Sequence, residues 1–155
     1  MKKLNSLLIL LTVLVISVSA QKTADRKAQF NLAKSGLAIQ GYDPVAYFVN
    51  NKAVEGKPEI AAVYNGVTYQ FASTKNKEAF NANPAKYEPQ YGGWCAYAMG
   101  SKGEKVEIDP QTFKTVDGKL FLFYNKLLTN TLPMWNKDET HLKTNADQNW
   151  TKFVH

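Results

Sequence analysis

An α+β fold with a small antiparallel sheet built from two hairpins is predicted by two turn dipeptides and a helical C-terminal third. Asn65-Gly66 and Asp117-Gly118 each lie between short runs rich in alternating apolar residues. Such pairs suit a two-residue hairpin turn, whose central residues both need positive φ. From Leu127 onward the apolar residues recur near a helical period instead. Hairpins followed by helices place short helices and a C-terminal helical segment against the sheet.

The chain opens with the features of an export signal. Lys2 and Lys3 precede an apolar run over residues 7–18 that is broken only by Thr12 and Ser17, and Val18-Ser19-Ala20 suits cleavage before Gln21. The run is too short and too simply flanked for a retained membrane span. No cysteine follows it to carry a lipid anchor. Residues 1–20 are thus expected to be a signal peptide, and the protein exported, periplasmic or secreted. The mature chain would hold 155 − 20 = 135 residues, enough for one domain that buries a core without disulfide staples. Residues 21–36 are polar and charged, which predicts a flexible leader with room for a short helix around 24–33. A single domain then runs from 37 to 155.

Within that domain Asp43-Pro44 marks a helix start, a carboxylate before a proline at the first helical position, with Tyr47 and Phe48 turned inward. Residues 60–64 and 67–71 form the first hairpin, and Val67, Tyr69 and Phe71 define its buried face. Ser73 or Thr74 caps a short helix that carries Phe80 and ends near Asn83-Pro84. Residues 113–116 and 119–123 form the second hairpin. Its return strand is apolar on both faces, with Leu120, Leu122 and Tyr124 alternating with Phe121 and Phe123, which predicts a central strand. Leu127, Leu128, Leu132 and Trp135, then Leu142, Ala146, Trp150 and Phe153, predict the helices that follow, with Pro133 splitting or kinking the first.

Charge and reactive groups narrow the function. The net charge of +6 falls to 6 − 2 = +4 without Lys2 and Lys3, and the basic residues are scattered. An exported chain without a basic stripe excludes nucleic acid and supports at most a mild affinity for anionic surfaces. The single cysteine, Cys95, lies in the segment Gln90-Tyr91-Gly92-Gly93-Trp94-Cys95. In an oxidising compartment a lone thiol is buried, paired with another molecule, or used in chemistry. The paired Cys and His spacings of a structural zinc site are absent, and His141 and His155 are the only histidines. Copper(I) accepts fewer, softer ligands, and Cys95 with Met99, four residues apart on a helix, is the candidate metal pair. Core packing explains the same spacing. Tyr42, Tyr91 and Trp94 are candidate residues for an aromatic ligand pocket.

The order of several motifs adds a resemblance. Gly41-Tyr42-Asp43-Pro44-Val45-Ala46-Tyr47-Phe48 is followed by Tyr64-Asn65-Gly66-Val67-Thr68-Tyr69-Gln70-Phe71-Ala72-Ser73, then by Phe80, Asn83-Pro84, Tyr87 and the Cys95 segment. Asp109-Pro110, Asp117-Gly118, Asn125-Lys126, Ala146-Asp147 and Asn149-Trp150 continue the series. Together they resemble exported YHS-domain proteins over about 37–150. The resemblance implies a unit similar to small treble-clef-like metal modules, found also in heavy-metal transport ATPases and some monooxygenases, and so implies metal binding or sensing. Metal-binding members end the strand before the short helix in Phe-Cys-Ser or Phe-His-Ser, often with a histidine in the helix. Here Ala72 and Asn76 occupy those places, which marks a degenerate metal module.

Three functions follow. The first is a non-catalytic exported binding or interaction module for a small ligand or protein partner. The second is soft-metal, copper, binding or sensing through Cys95. The third is a thiol-dependent enzyme, with Cys95 activated at a helix start. The glycines carry a separate expectation. At least one of Gly92 and Gly93 should take positive φ or pack its backbone on the strand 67–71, whereas Gly100 and Gly103, in a more polar loop, should tolerate alanine better.

Overall fold

The computed structural model describes residues 25–154. The export signal expected over 1–20 and the terminal His155 lie outside the described residues. The fold is α+β, with helices packed on small antiparallel two-stranded sheets. A helical turn over 25–29 (α1) opens the described chain. It is followed by α2 (Ala46–Val49), β1 (Lys57–Tyr64), β2 (Val67–Phe71), α3 (Thr74–Ala82), α4 (Pro84–Tyr87) and α5 (Ala96–Lys102). Then come β3 (Asp109–Val116), β4 (Lys119–Phe123), β5 (Asn125–Lys126), β6 (Thr129–Asn130), α6 (Leu132–Lys137) and α7 (Glu139–Trp150). No helix among the described residues is long and apolar enough to cross a membrane.

Both expected hairpins form, β1 with β2 and β3 with β4. Their turns place Asn65 and Gly66, and Asp117 and Gly118, at positive φ. Val67, Tyr69 and Phe71 are fully buried, and the Phe80 ring on α3 packs on Tyr69 and Phe71 at centroid distances of 4.8 and 5.2 Å. Ser73 caps α3 by accepting the Asn76 N–H. The buried strand β4 divides the interior in two. Leu120 and Leu122 face a core with the first hairpin, α2 and Cys95, while Phe121 and Phe123 face a second core with Met99, Trp135, Leu142 and Ala146. Its two-sided apolarity therefore reflects two cores rather than a place inside a wide sheet. Beyond β3, its only backbone pairing among the described residues is an isolated bridge from Pro89 to Leu120.

Two expectations need correcting. Leu127 and Leu128 do not begin a helix. They form the two-residue turn of a third hairpin, β5–β6, and α6 starts only at Leu132 with Pro133 in its first turn. The stretch expected to be a flexible leader is docked from residue 25 onward. Arg26 pairs with Glu88, Trp94 Nε1 donates to the Gln29 carbonyl at 2.7 Å, and Asn31 N–H donates to the Gly92 carbonyl at 2.9 Å. Phe30 and Leu32 also pack against the first core; two apolar side chains in a polar stretch give no periodic signal, and the remaining contacts are backbone groups and one arginine.

Candidate functional site

Three groups of residues compete as the site. The first is centred on Asp43, which is fully buried just before α2. Its Oδ1 accepts the N–H groups of Val45 and Ala46 at 2.8 and 3.3 Å, capping the short helix as the Asp-Pro pair predicts. Its Oδ2 accepts Ala72 N–H at 2.8 Å and Asn76 Nδ2 at 2.7 Å. A buried carboxylate needs such donors to offset its desolvation. The strand end and helix start where the resemblance places metal ligands thus converge on this carboxylate, but as donors.

The second group surrounds Cys95. The residue is fully buried just ahead of α5, and its Sγ accepts Tyr124 N–H at 3.3 Å and lies 3.4 Å from Thr131 Oγ1. Thr131 in turn donates from its N–H and its hydroxyl to the Tyr124 carbonyl, both at 3.0 Å. The thiol therefore ties together the two ends of the β5–β6 hairpin. It also backs a mostly apolar pocket of about 160 Å³ with Tyr97, Val106 and Tyr124 on its walls. Met99 is fully buried too, but it belongs to the second core, whereas Cys95 belongs to the first. His141 is exposed on α7, where its ring nitrogens meet Asp138 at 3.1 Å and Asn145 at 3.3 Å.

The third group forms an open cleft of about 320 Å³ between α1, the segment around Glu88 to Gly92, and α7. Phe30 and Trp150 supply aromatic walls, and Arg26, Glu88, Tyr91 and Asp147 supply the polar groups. The Tyr91 hydroxyl donates to Asp147 Oδ1 at 2.9 Å, and burial together with this bond pushes the phenol pKa well above its ordinary value. Glu88 accepts from both Arg26 and the Tyr69 hydroxyl. Burial and the Glu88 carboxylate push the Tyr69 phenol up in the same way. The Arg26 guanidinium lies 4.1 Å from the Phe30 ring centroid, and its Nε is buried without a partner. Tyr91 and Gly92 line the cleft with φ of 54° and 60°, which lets the chain turn sharply beneath α7.

The aromatic residues singled out in the sequence have separate surroundings. Tyr91 lines the cleft. Trp94 donates to Gln29 and lies 5.7 Å from Lys105 Nζ. Tyr42 is bridged to Glu55, and its hydroxyl accepts from Gln111 at 3.3 Å. Arg26, Glu88 and Asp147 carry no local sequence signal as site residues, because separations such as the 62 positions between Arg26 and Glu88 leave no local pattern. The Ala146-Asp147 and Asn149-Trp150 pairs of the resemblance are the available signal.

Residues 45–91 match the YHS domain family. The chain carries a YHS domain. No curated protein and no solved structure matches the chain. The YHS match takes in α2, the first hairpin, α3, α4 and Tyr91, so Cys95 and Met99 lie beyond it. The donors of the YHS segment, with the Asp43 carboxylate just ahead of it, do not fit a resident metal. Ala72 offers only an N–H, Asn76 points its amide nitrogen at Asp43, and the Asp43 carboxylate already accepts four N–H groups. Among the described residues no group of three or more His, Cys, Asp or Glu side chains could hold a metal ion.

Proposed function

We propose that this chain is a non-catalytic exported binding module on a YHS scaffold, taking a small cationic aromatic ligand in the cleft beside Tyr91. The observation that carries this reading is the meeting of two aromatic walls with an uneven set of charges. Arg26 is neutralised by Glu88, whereas among the described residues Asp147 receives a neutral phenol from Tyr91 and forms no ion pair. The lining therefore bears a net negative charge in a basic protein. Concave sites of this size with a few convergent polar groups are the usual form of small-ligand pockets. An ammonium would pair with Asp147 while its ring stacks on Trp150.

The soft-metal alternative, copper held by Cys95 with Met99, gains little from side chains assigned to two different cores. The thiol-enzyme alternative lacks an oriented base, since the His141 ring is engaged by Asp138 and Asn145. Tryptophan fluorescence titration of the mature chain with phenethylamine and phenylacetate tests the reading. Saturable binding of the amine, lost in Asp147→Asn, is expected. Equal response to both probes, or to neither, would overturn it. Equilibrium dialysis with copper(I) on wild type and Cys95→Ala tests the alternative.

A further inference from the structure

The three hairpins of this protein share one turn geometry but not one turn chemistry. Asn65-Gly66 and Asp117-Gly118 supply residues that accept positive φ at little cost. The β5–β6 hairpin pairs Asn125 with Asn130 and Lys126 with Thr129, so its two central residues are Leu127 and Leu128, with φ of 50° and 68°. Leucine is disfavoured in that region, and two adjacent leucines there are a genuine outlier. Both side chains are also fully in water, at 92% and 108% relative exposure. Neither backbone preference nor packing among the described residues accounts for them. Local strain combined with exposed apolar surface points to a function outside the fold.

The hairpin is held firmly at its root. Asn125 Nδ2 donates to Thr112 Oγ1 at 2.9 Å, Leu132 N–H donates to Asn130 Oδ1 at 3.0 Å, and Tyr124 N–H is fastened to the Cys95 thiol. Behind the leucines the hairpin carries only Lys126 and the uncharged polar residues Asn125, Thr129 and Asn130. From Lys119 to Lys137 the chain has three lysines and no acidic residue. A narrow apolar tip above amides, a hydroxyl and an ammonium matches the layering of a bilayer surface, acyl chains beneath polar and anionic headgroups. A folded protein partner fits less well, because a specific interface covers about 800 Å² on each side and two leucines at a tip offer a fraction of that.

We propose that the Leu127-Leu128 tip inserts into the surface of an anionic phospholipid bilayer, making the protein a reversible peripheral membrane binder. This is independent of the Tyr91 cleft. Lys126 would attract the headgroups while the leucines enter the acyl boundary, a combination that gives weak, salt-sensitive association rather than permanent anchoring.

The test is co-sedimentation of the mature chain with vesicles of phosphatidylglycerol and phosphatidylcholine in equal parts, and with phosphatidylcholine alone. The decisive variant carries Leu127→Asn with Leu128→Gly, the chemistry the other two hairpins use. It relieves the strained turn, so its melting temperature should equal or exceed that of wild type, and lost binding could not be blamed on unfolding. Wild type should bind the anionic vesicles, and the double variant should bind about tenfold or more weakly. Lys126→Gln should weaken binding only to the anionic vesicles. Equal binding by wild type and the double variant, or no binding by wild type, would overturn the proposal. So would wild-type self-association in sedimentation velocity that the double variant abolishes, because the tip would then cover a second copy.

Discussion

Gly100→Ala is a sharp probe of this architecture, because the sequence groups Gly100 with Gly103 as more tolerant of alanine than Gly92 and Gly93, whereas the structure places it at a close helix crossing. Gly100 is buried on α5 where that helix crosses α7, and a Cβ there would lie 2.3 Å from the Leu142 carbonyl oxygen and 3.0 Å from its carbon. Ordinary contact begins near 3.4 Å, so the obstacle is backbone and the two helices must part by about 3.4 − 2.3 = 1.1 Å. A gap of that order forfeits a quarter to a half of the dispersion energy of the facing atoms. Met99, Leu142 and Ala146 share that core, and Asn149 Nδ2 reaches the Met99 carbonyl at 2.9 Å across the same crossing. Overpacking of this kind costs roughly 1–3 kcal/mol. In an open helix alanine is favoured over glycine by about 1 kcal/mol, so the sign of the change reports whether the crossing can yield. A net loss of about 2 kcal/mol is expected, read as a fall in Tm of about 4–8 °C for a domain of this size. Thermal melts and urea titrations of residues 21–155 make the measurement. An unchanged or raised Tm would show that α7 moves aside freely and that the close crossing carries no weight. Gly92→Ala in parallel should also destabilise, since φ is +60° and a Cβ would meet the Trp150 ring at 2.9 Å. Gly93→Ala should cost less, about 1 kcal/mol from its φ of +83°.

Two further outcomes follow from the buried polar groups. Asp43→Ala leaves four N–H donors around a vacated acceptor and should cost about 3 kcal/mol or more in urea unfolding; a loss below about 1 kcal/mol would mean that water replaces the carboxylate without strain. Cys95 should react with a thiol reagent in the native protein only as fast as the fold opens, because the residue is fully buried; rapid native labelling, matching the rate in denaturant, would refute its role as the staple of the hairpin root.

Much of the fold follows from local chemistry that a sequence carries openly. Asn65-Gly66 and Asp117-Gly118 specify their turns because few residues accept two successive positive φ values, and the alternation after Gly66 names the buried face of the first hairpin. Asp43-Pro44 marks its capping site because the carboxylate accepts the first free N–H groups and proline presets a helical φ. What the sequence left undecided are contacts across long separations. Arg26 with Glu88, Tyr91 with Asp147, and Cys95 with Tyr124 and Thr131 join segments whose spacing has no periodic meaning. Gly100 looks like a permissive glycine in a polar stretch until α7 is laid across it. Leu127 and Leu128 look like the start of a helix because their spacing to Leu132 and Trp135 fits a helical period. Only the pairing of Asn125 with Asn130 turns them into an exposed tip. Periodicity reports which side chains want to leave water. The tertiary structure decides which of them find a core, and which are left in water for a partner to cover.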